Sequence, residues 1–371
     1  MVKIAIDAMG AEKGLEIIVN GAKKALEHLD KSDELILVGN YNLKKLISDE
    51  MNFVFAPDVF SMNDNPITEL RKKKKSSIMI AANLVKNGNA DILFSPGNTG
   101  ASVVASVLKN RLDERFKNYP LATTIPTIIK NKYTILLDVG GSYPDVQKGL
   151  EYNTQVLFDF AIAGNAFYKS LFNNKPKIGL LNVGEESYKG PSEIKECAKA
   201  LKNSNLNYIG FVEGNDIMTG DVDVIVCNGY TGNITLKAIE GTASTIKNVL
   251  KEGVPDIRDF NKTIESIKTN FDFIRDNNIK GLIENLKKID VKINKTIGSY
   301  LAIPWGVFKS LKNRLNYEKY GGAYLLGIEK PTVIGHGASS EKAIESAIYF
   351  TKNCYNLSKE INDNILKQLN N

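Results

Sequence analysis

The chain has little of what most catalytic machinery is built from. Among 371 residues there are three cysteines, two histidines and one tryptophan. Cys197, Cys227 and Cys354 are far apart in sequence, which excludes a disulfide framework and paired metal-ligand spacing. Three thiols and no such framework fit a reducing compartment, so a cytoplasmic location is expected. No apolar run reaches the roughly 18 residues a membrane-spanning helix needs. The opening stretch Met1-Val2-Lys3-Ile4-Ala5-Ile6-Asp7 reads as a strand and lacks a signal peptide's long apolar core. Large charge imbalance is also missing. The net charge is +6, and residues 287–314 alone hold seven Lys or Arg against Asp290. The rest of the chain is formally neutral, so a partner for positive charge is sought locally. A nucleic-acid partner is not expected, because the basic run Arg71–Lys75 has no interleaved aromatics and no recognised binding motif and the rest of the chain is formally neutral.

What is present is ordinary globular content, 43% hydrophobic and 24% charged, enough for a large core. The first 240 residues alternate short apolar runs with helical periods. Strands are predicted at 2–6, 34–38, 52–55, 90–94, 121–125, 133–138, 177–182, 207–212 and 222–227. Helices are predicted at 14–28, 42–49, 76–87, 99–110, 152–172, 191–203 and 232–251. This alternation predicts an α/β fold: a mostly parallel sheet with helices on both faces. Residues 1–371 are expected to form a single domain. From about 242 to 318 strand signals vanish, and a protruding helical hairpin is expected there. Its centre carries Tyr300, Trp305 and Phe308 between Lys295 and Lys309. That composition suits an interfacial membrane contact or an apolar dimer contact. A last strand near Val333-Ile334 and two helices close the pattern.

Six strand ends run into small-residue loops: Asp7-Ala8-Met9-Gly10, Ser95-Pro96-Gly97-Asn98-Thr99-Gly100-Ala101, Asp138-Val139-Gly140-Gly141-Ser142, Asn182 to Gly190, Cys227 to Asn233, and Gly335-His336-Gly337. In parallel sheets such loops share one edge and bind ligands there, so one backbone-lined cleft is expected. The Ser95–Ala101 loop opens a helix. Its free amides, with Asn98, Thr99 and Gly100, form a candidate anion site. The basic run Arg71-Lys72-Lys73-Lys74-Lys75 precedes the predicted helix at 76. It is read either as a solvated segment or as docking for an acidic protein.

These loops resemble the phosphate acyltransferase family of bacterial phospholipid synthesis. Asp7 to Glu12 parallels the family's D-A-M-G-G-D, Ser95 to Ala101 its S-A-G-N-T-G-A, and Gly179 to Glu186 its G-L-L-N-I-G-E-E. Phe211 to Ile217, Val226 to Asn233, Tyr320 to Gly327 and His336 to Ser339 follow in family order. Departures are Pro96, Ala11, Glu12, Gly141-Ser142 and Asn228. The resemblance implies a Rossmann-like three-layer sandwich akin to isocitrate and isopropylmalate dehydrogenases. It implies transfer of a long-chain acyl group from acyl carrier protein to inorganic phosphate, supplying acyl phosphate for glycerol-3-phosphate acylation. It also implies a homodimer, no metal or organic cofactor, and peripheral association with the inner face of the membrane beside a membrane glycerol-3-phosphate acyltransferase. A phosphotransacetylase-like enzyme using acyl-CoA and a catalytically impaired scaffold are the alternatives.

Phosphate is an anionic nucleophile at neutral pH, and a thiol leaves with a reference pKa of about 8.5, so strong acid–base groups are dispensable. Capture of phosphate, an oxyanion donor and alignment are what remain. The expected site residues are Asn98, Thr99, Gly100 and Lys189 for phosphate, with Lys189, Asn233 and His336 catalytic. Asp7, Gly10, Asp138, Gly140, Gly184, Gly229 and Gly232 are expected to line the cleft. Glu185 and Glu186 are expected to order their loop. Cys227 is read as a small buried hydrophobe rather than a nucleophile, and His28 as a helix-end charge.

Overall fold

A computed structural model describes residues 1–116, 118–253, 322–335 and 340–370. Two units are distinguished. One comprises Met1–Lys237 with Tyr317–Asn371; the other is Ala238–Asn316, described only through the end of one helix. The expected hairpin tip, with Tyr300, Trp305 and Phe308, and His336 lie outside the described residues.

Among the described residues eleven strands form one sheet: β1 (Lys3–Asp7), β2 (Glu34–Gly39), β3 (Asn52–Phe55), β4 (Ile92–Ser95), β5 (Leu121–Pro126), β6 (Tyr133–Leu137), β7 (Ile178–Leu181), β8 (Tyr208–Val212), β9 (Val224–Val226), β10 (Ala323–Leu325) and β11 (Thr332–Ile334), in the order β3-β2-β1-β4-β11-β10-β5-β6-β9-β7-β8. The helices are α1 (Leu15–Leu26), α2 (Tyr41–Lys44), α3 (Pro66–Lys72), α4 (Ser77–Lys86), α5 (Thr99–Lys109), α6 (Gly149–Phe172), α7 (Ser192–Lys202), α8 (Gly229–Gly253) and α9 (Glu341–Leu369). This is the expected mostly parallel α/β architecture.

The strands read as unbroken apolar runs because both faces of the sheet are covered. Ala5, Ile36, Val38 and Leu93 point into a core filled by Ile78, Ala82 and Val85 of α4 and by Ala101 and Ala105 of α5. Their neighbours Ile4, Ile6, Leu35, Leu37 and Phe94 alternate to the other face and are equally buried. There α9 packs along β4 and against α1. The helices approach closely at Gly21, where a Cβ would come within 2.6 Å of Ile344. In the second half, α6 lies on β6 and β9 and packs against α7 and α9.

Strand polarity corrects one expectation. β1, β2, β3, β4 and β11 run in parallel, but β10 is antiparallel to both β11 and β5, and β5 is antiparallel to β6. From there β6, β9, β7 and β8 are again mutually parallel. Three reversals therefore leave the two parallel blocks pointing in opposite directions. The six small-residue loops leave the sheet from two edges, three from each, not from one.

Smaller differences have local causes. The helix expected at 42–49 stops at Lys44, after Asn40 caps its start. A single helix, α9, fills the C-terminal region where two were expected. The basic run precedes α4, as expected, but Arg71 and Lys72 also end a further short helix, α3, which begins at Pro66 and was not expected. Part of its charge is internally matched, with Lys72 at 2.8 Å from Glu69 and Lys73 at 2.5 Å from Asp64.

Candidate active site

The first loop cluster gathers the ends of β1, β4 and β11. Asp7 is buried beneath it. Its carboxylate accepts from Ser77 Oγ at 2.6 Å and from Ser95 Oγ at 2.9 Å. Ser95 Oγ in turn accepts from Ser102 Oγ and from the Gly97 amide. Burial raises the Asp7 pKa against these donors. Gly10 and Gly97 let the two loops touch, since a Cβ on Gly10 would sit 2.6 Å from the Gly97 Cα. Above this base, α5 begins.

Asn98 has a different task from the one expected. Its Oδ1 accepts from the Ala101 amide at 3.0 Å, and its Nδ2 donates to the Met62 carbonyl at 3.1 Å. The side chain is the N-cap of α5 and a brace to the 61–64 turn, so it positions the helix start. The cap uses the Ala101 amide. The Thr99 and Gly100 amides, earlier in the first turn, have no acceptor among the described residues, as is usual for the first amides of a helix.

The second cluster gathers the ends of β6, β9 and β7. Asp138 is its hub. The carboxylate accepts from the amides of Leu121 (2.9 Å), Gly140 (3.1 Å), Gly141 (2.7 Å) and Ser142 (2.8 Å), and from Ser142 Oγ (2.9 Å). These bonds wrap residues 138–142 around the carboxylate, so their amides are already taken and do not serve a ligand. Burial pushes the Asp138 pKa up to about 6 despite the donors. The α8 start packs directly on this loop: a Cβ on Gly229 or Gly232 would overlap Ser142 or Asp138 backbone. Asn228 Oδ1 caps the helix by accepting from the Thr231 amide at 2.9 Å. The family's Asp at this position is replaced by a residue that caps equally well without charge. The helix expected from 232 begins at Gly229 instead, so Asn233 sits in its second turn, its amide about 3.7 Å from where a Cβ of Gly140 would be.

Lys189 stands on the neighbouring β7 loop. Its ammonium is 2.9 Å from Glu186, which the lysine holds below the usual carboxylate range. Asn182 ties the ends of that loop, donating from Nδ2 to the Gly184 carbonyl at 3.1 Å and the Lys189 carbonyl at 3.2 Å. Gly190 has φ +86°, and a Cβ there would overlap Asn182 Oδ1. Glu186 thus restrains the lysine, while the exposed Glu185 has no partner among the described residues.

The structure brings Asp7 and Gly10 to Ser95–Gly100, and Asp138, Gly140, Gly229, Gly232 and Asn233 together. Gly184 lies against Lys189. Among the described residues, no hydrogen bond or ion pair joins the first cluster to the second. Cys227 is buried behind Asp138, and burial pushes its thiol far up. Cys197 is pushed up to about 12 by the same cause. His28 pairs with Glu345 at 3.4 Å between α1 and α9, a structural contact.

One feature had no signal in the motifs. Tyr143, Val146, Leu150, Val183, Tyr188, Tyr230 and Ile234 are all exposed, Val146 by 90%. All seven lie on or beside the loops of the second cluster. Isolated exposed apolar residues need no explanation, but a group on adjacent loops marks a contact surface.

Comparisons place this geometry among known proteins. The family model described as "Fatty acid synthesis protein" matches residues 2–292 and 274–359. Phosphate acyltransferase of Caldanaerobacter subterraneus subsp. tengcongensis is 35% identical over 355 residues, covering 95% of this chain and 93% of the relative. Phosphate acyltransferase of Nitratiruptor sp. is 35% identical and covers 100% and 98%. Among solved structures, a phosphotransacetylase from Streptococcus pyogenes superposes with TM-score 0.52 at 15% identity, covering 96% of this chain and 94% of that one. A branched-chain phosphotransacylase from Enterococcus faecalis gives 0.51 at 14%, covering 96% and 99%. The solved structures speak for the fold alone. The sequence relatives, nearly end to end, speak for more: this chain belongs to the phosphate acyltransferases, a family of acyltransferase enzymes.

Proposed function

We propose that the chain transfers a long-chain fatty acyl group from an acyl carrier protein thioester to inorganic phosphate. The observation that carries this reading, beyond the family, is the apolar group around Lys189 and Asn233. A fatty acyl chain needs an apolar landing surface beside a cation and an amide donor, and the second cluster supplies all three.

In this reading the clusters divide the substrates. The Thr99 and Gly100 amides at the α5 start hold phosphate, with about 0.3–2 kcal/mol from the helix terminus. Lys189 and Asn233 face the thioester carbonyl. A phosphate oxygen attacks the carbonyl carbon, the carbonyl π electrons move onto its oxygen, and Asn233 and Lys189 stabilise that oxyanion. Collapse breaks the C–S bond and releases the carrier thiolate and acyl phosphate. The high Cys227 pKa and its burial speak against a covalent acyl-enzyme on this thiol. The reading requires the twist of the sheet to bring the two clusters, which leave it from opposite edges, onto the two walls of one cleft, with His336 donating to the phosphate or the leaving sulfur. The acyl phosphate serves glycerol-3-phosphate acylation in phospholipid synthesis.

The same reading has the protein work as a cytoplasmic homodimer on the inner face of the membrane, near a membrane glycerol-3-phosphate acyltransferase. Tyr300, Trp305 and Phe308 make that membrane contact. Among the described residues no helix is long and apolar enough to cross a membrane. The discriminating experiment offers purified protein long-chain acyl carrier protein or acyl-CoA with phosphate. Preference for the carrier supports the proposal; preference for acyl-CoA favours a phosphotransacetylase-like activity; turnover with neither leaves a scaffold.

A further inference from the structure

A cavity of about 660 Å³ lies between α6, α7 and α9, lined by residues of all three and by the 203–206 turn. We infer that it binds a small organic phosphate bearing hydroxyl or amide groups. Its volume falls within the roughly 300–1,000 Å³ of small-molecule sites.

Charge is the first argument. Lys169 of α6, Lys175 before β7 and Lys367 of α9 line it, and among the described residues no Asp or Glu does. Among the described residues none of the three is in an ion pair. Three lysines from separate segments line one space, and ammonium groups on flexible stems are point-charge partners for phosphate.

Orphaned polar atoms are the second, independent argument. Asn165, in the middle of α6, is 1% exposed, and its Oδ1 has no hydrogen-bond partner among the described residues. Thr154 Oγ1 and Gln368 Oε1, on the same lining, are also buried and have no partner among the described residues. Each such atom costs about 1–3 kcal/mol if left so, and asparagine is a poor helix-interior residue. These groups match the hydroxyls or amides of a ligand. Phe158, Ile162 and Leu206 supply apolar surface for its carbon skeleton.

The cavity is separate from the candidate active site. Asn153, Val156 and Leu157 of α6 face the Ser142–Pro144 loop and Asn228. Thr154, Phe158, Ile162, Asn165 and Lys169 lie on the opposite side of the helix by its period.

Isothermal titration of the full chain with glycerol 3-phosphate, coenzyme A and inorganic phosphate tests this. At least one organic phosphate is expected to bind, and more tightly than inorganic phosphate. Lys175→Glu with Lys367→Glu, both exposed positions, should fold normally by circular dichroism and weaken that binding at least tenfold. Asn165→Leu, which removes the amide, should weaken it as well. Acyl transfer by the lysine variant should stay within twofold. Failure of both organic phosphates to bind would overturn the inference. So would binding that the lysine variant leaves unchanged, since the ligand would then sit elsewhere.

Discussion

Replacing Gly190 with alanine perturbs Lys189 without touching it. Gly190 has φ +86°, a region that costs a β-carbon residue roughly 1 kcal/mol. The added Cβ would also overlap Asn182 Oδ1, so the Asn182 side chain must leave. Its two bonds to the Gly184 and Lys189 carbonyls go with it, at about 1 kcal/mol each. The sum is about 3 kcal/mol, confined to residues 182–190. That amount loosens the loop more than it unfolds the chain. If Lys189 acts on the thioester, a displacement of about 1 Å is enough to lower turnover roughly 100-fold. Gly210→Ala is the control. It has φ +119° but nothing within 4 Å of a Cβ, so it carries backbone strain without the clash. Steady-state acyl transfer and urea denaturation should be measured for both. Gly190→Ala should lose at least tenfold in kcat and about 2 kcal/mol more stability than Gly210→Ala, which should keep most of its activity. Equal activities would refute the reasoning that ties Asn182 and Gly190 to the placement of Lys189.

The two-cluster reading predicts a kinetic split: Gly100→Ala, whose Cβ would press on Pro66 at 2.6 Å, should raise the KM for phosphate several-fold, whereas Asn233→Ala should lower kcat about 100-fold at saturating phosphate. A common effect on both parameters in both variants would count against it. Asp138 should leave a pH signature. Its folded pKa is pushed up to about 6 from 3.8, so the folded chain holds this proton more tightly than the unfolded one. The resulting stabilisation is fully present below about pH 4 and is lost as pH rises through about 6, worth up to about 3 kcal/mol. The stability of the wild type relative to Asp138→Asn should therefore fall between pH 4 and 6; a flat difference would contradict the assignment. Finally, iodoacetamide should not inactivate the native enzyme at neutral pH, because all three thiols are buried. Rapid inactivation with labelling of Cys227 would point to a covalent intermediate.

Much of the fold was legible because burial on both sheet faces makes strands such as Ile92–Ser95 and Ile178–Leu181 continuous apolar runs. The reversal of the second block was not. It depends on β10 pairing with β5, some 200 residues away in sequence, through strands only three residues long at β10 and β11. No local period encodes such a pairing. Capping was half legible. Asn98 and Asn228 sit where caps are expected, but only the fold shows that Asn98 also reaches the Met62 carbonyl and is committed. The Asp7–Ser77 bond and the apolar group around Lys189 were invisible for the same reason: each joins residues far apart in sequence.

The most direct test of the central claim is a single reaction: purified protein, long-chain acyl carrier protein and inorganic phosphate, with acyl phosphate and free carrier thiol measured together. The account predicts that both appear in equal amounts, only when phosphate is present, and that Lys189→Ala abolishes both. Thiol released without phosphate, or no acyl phosphate at any phosphate concentration, would contradict it.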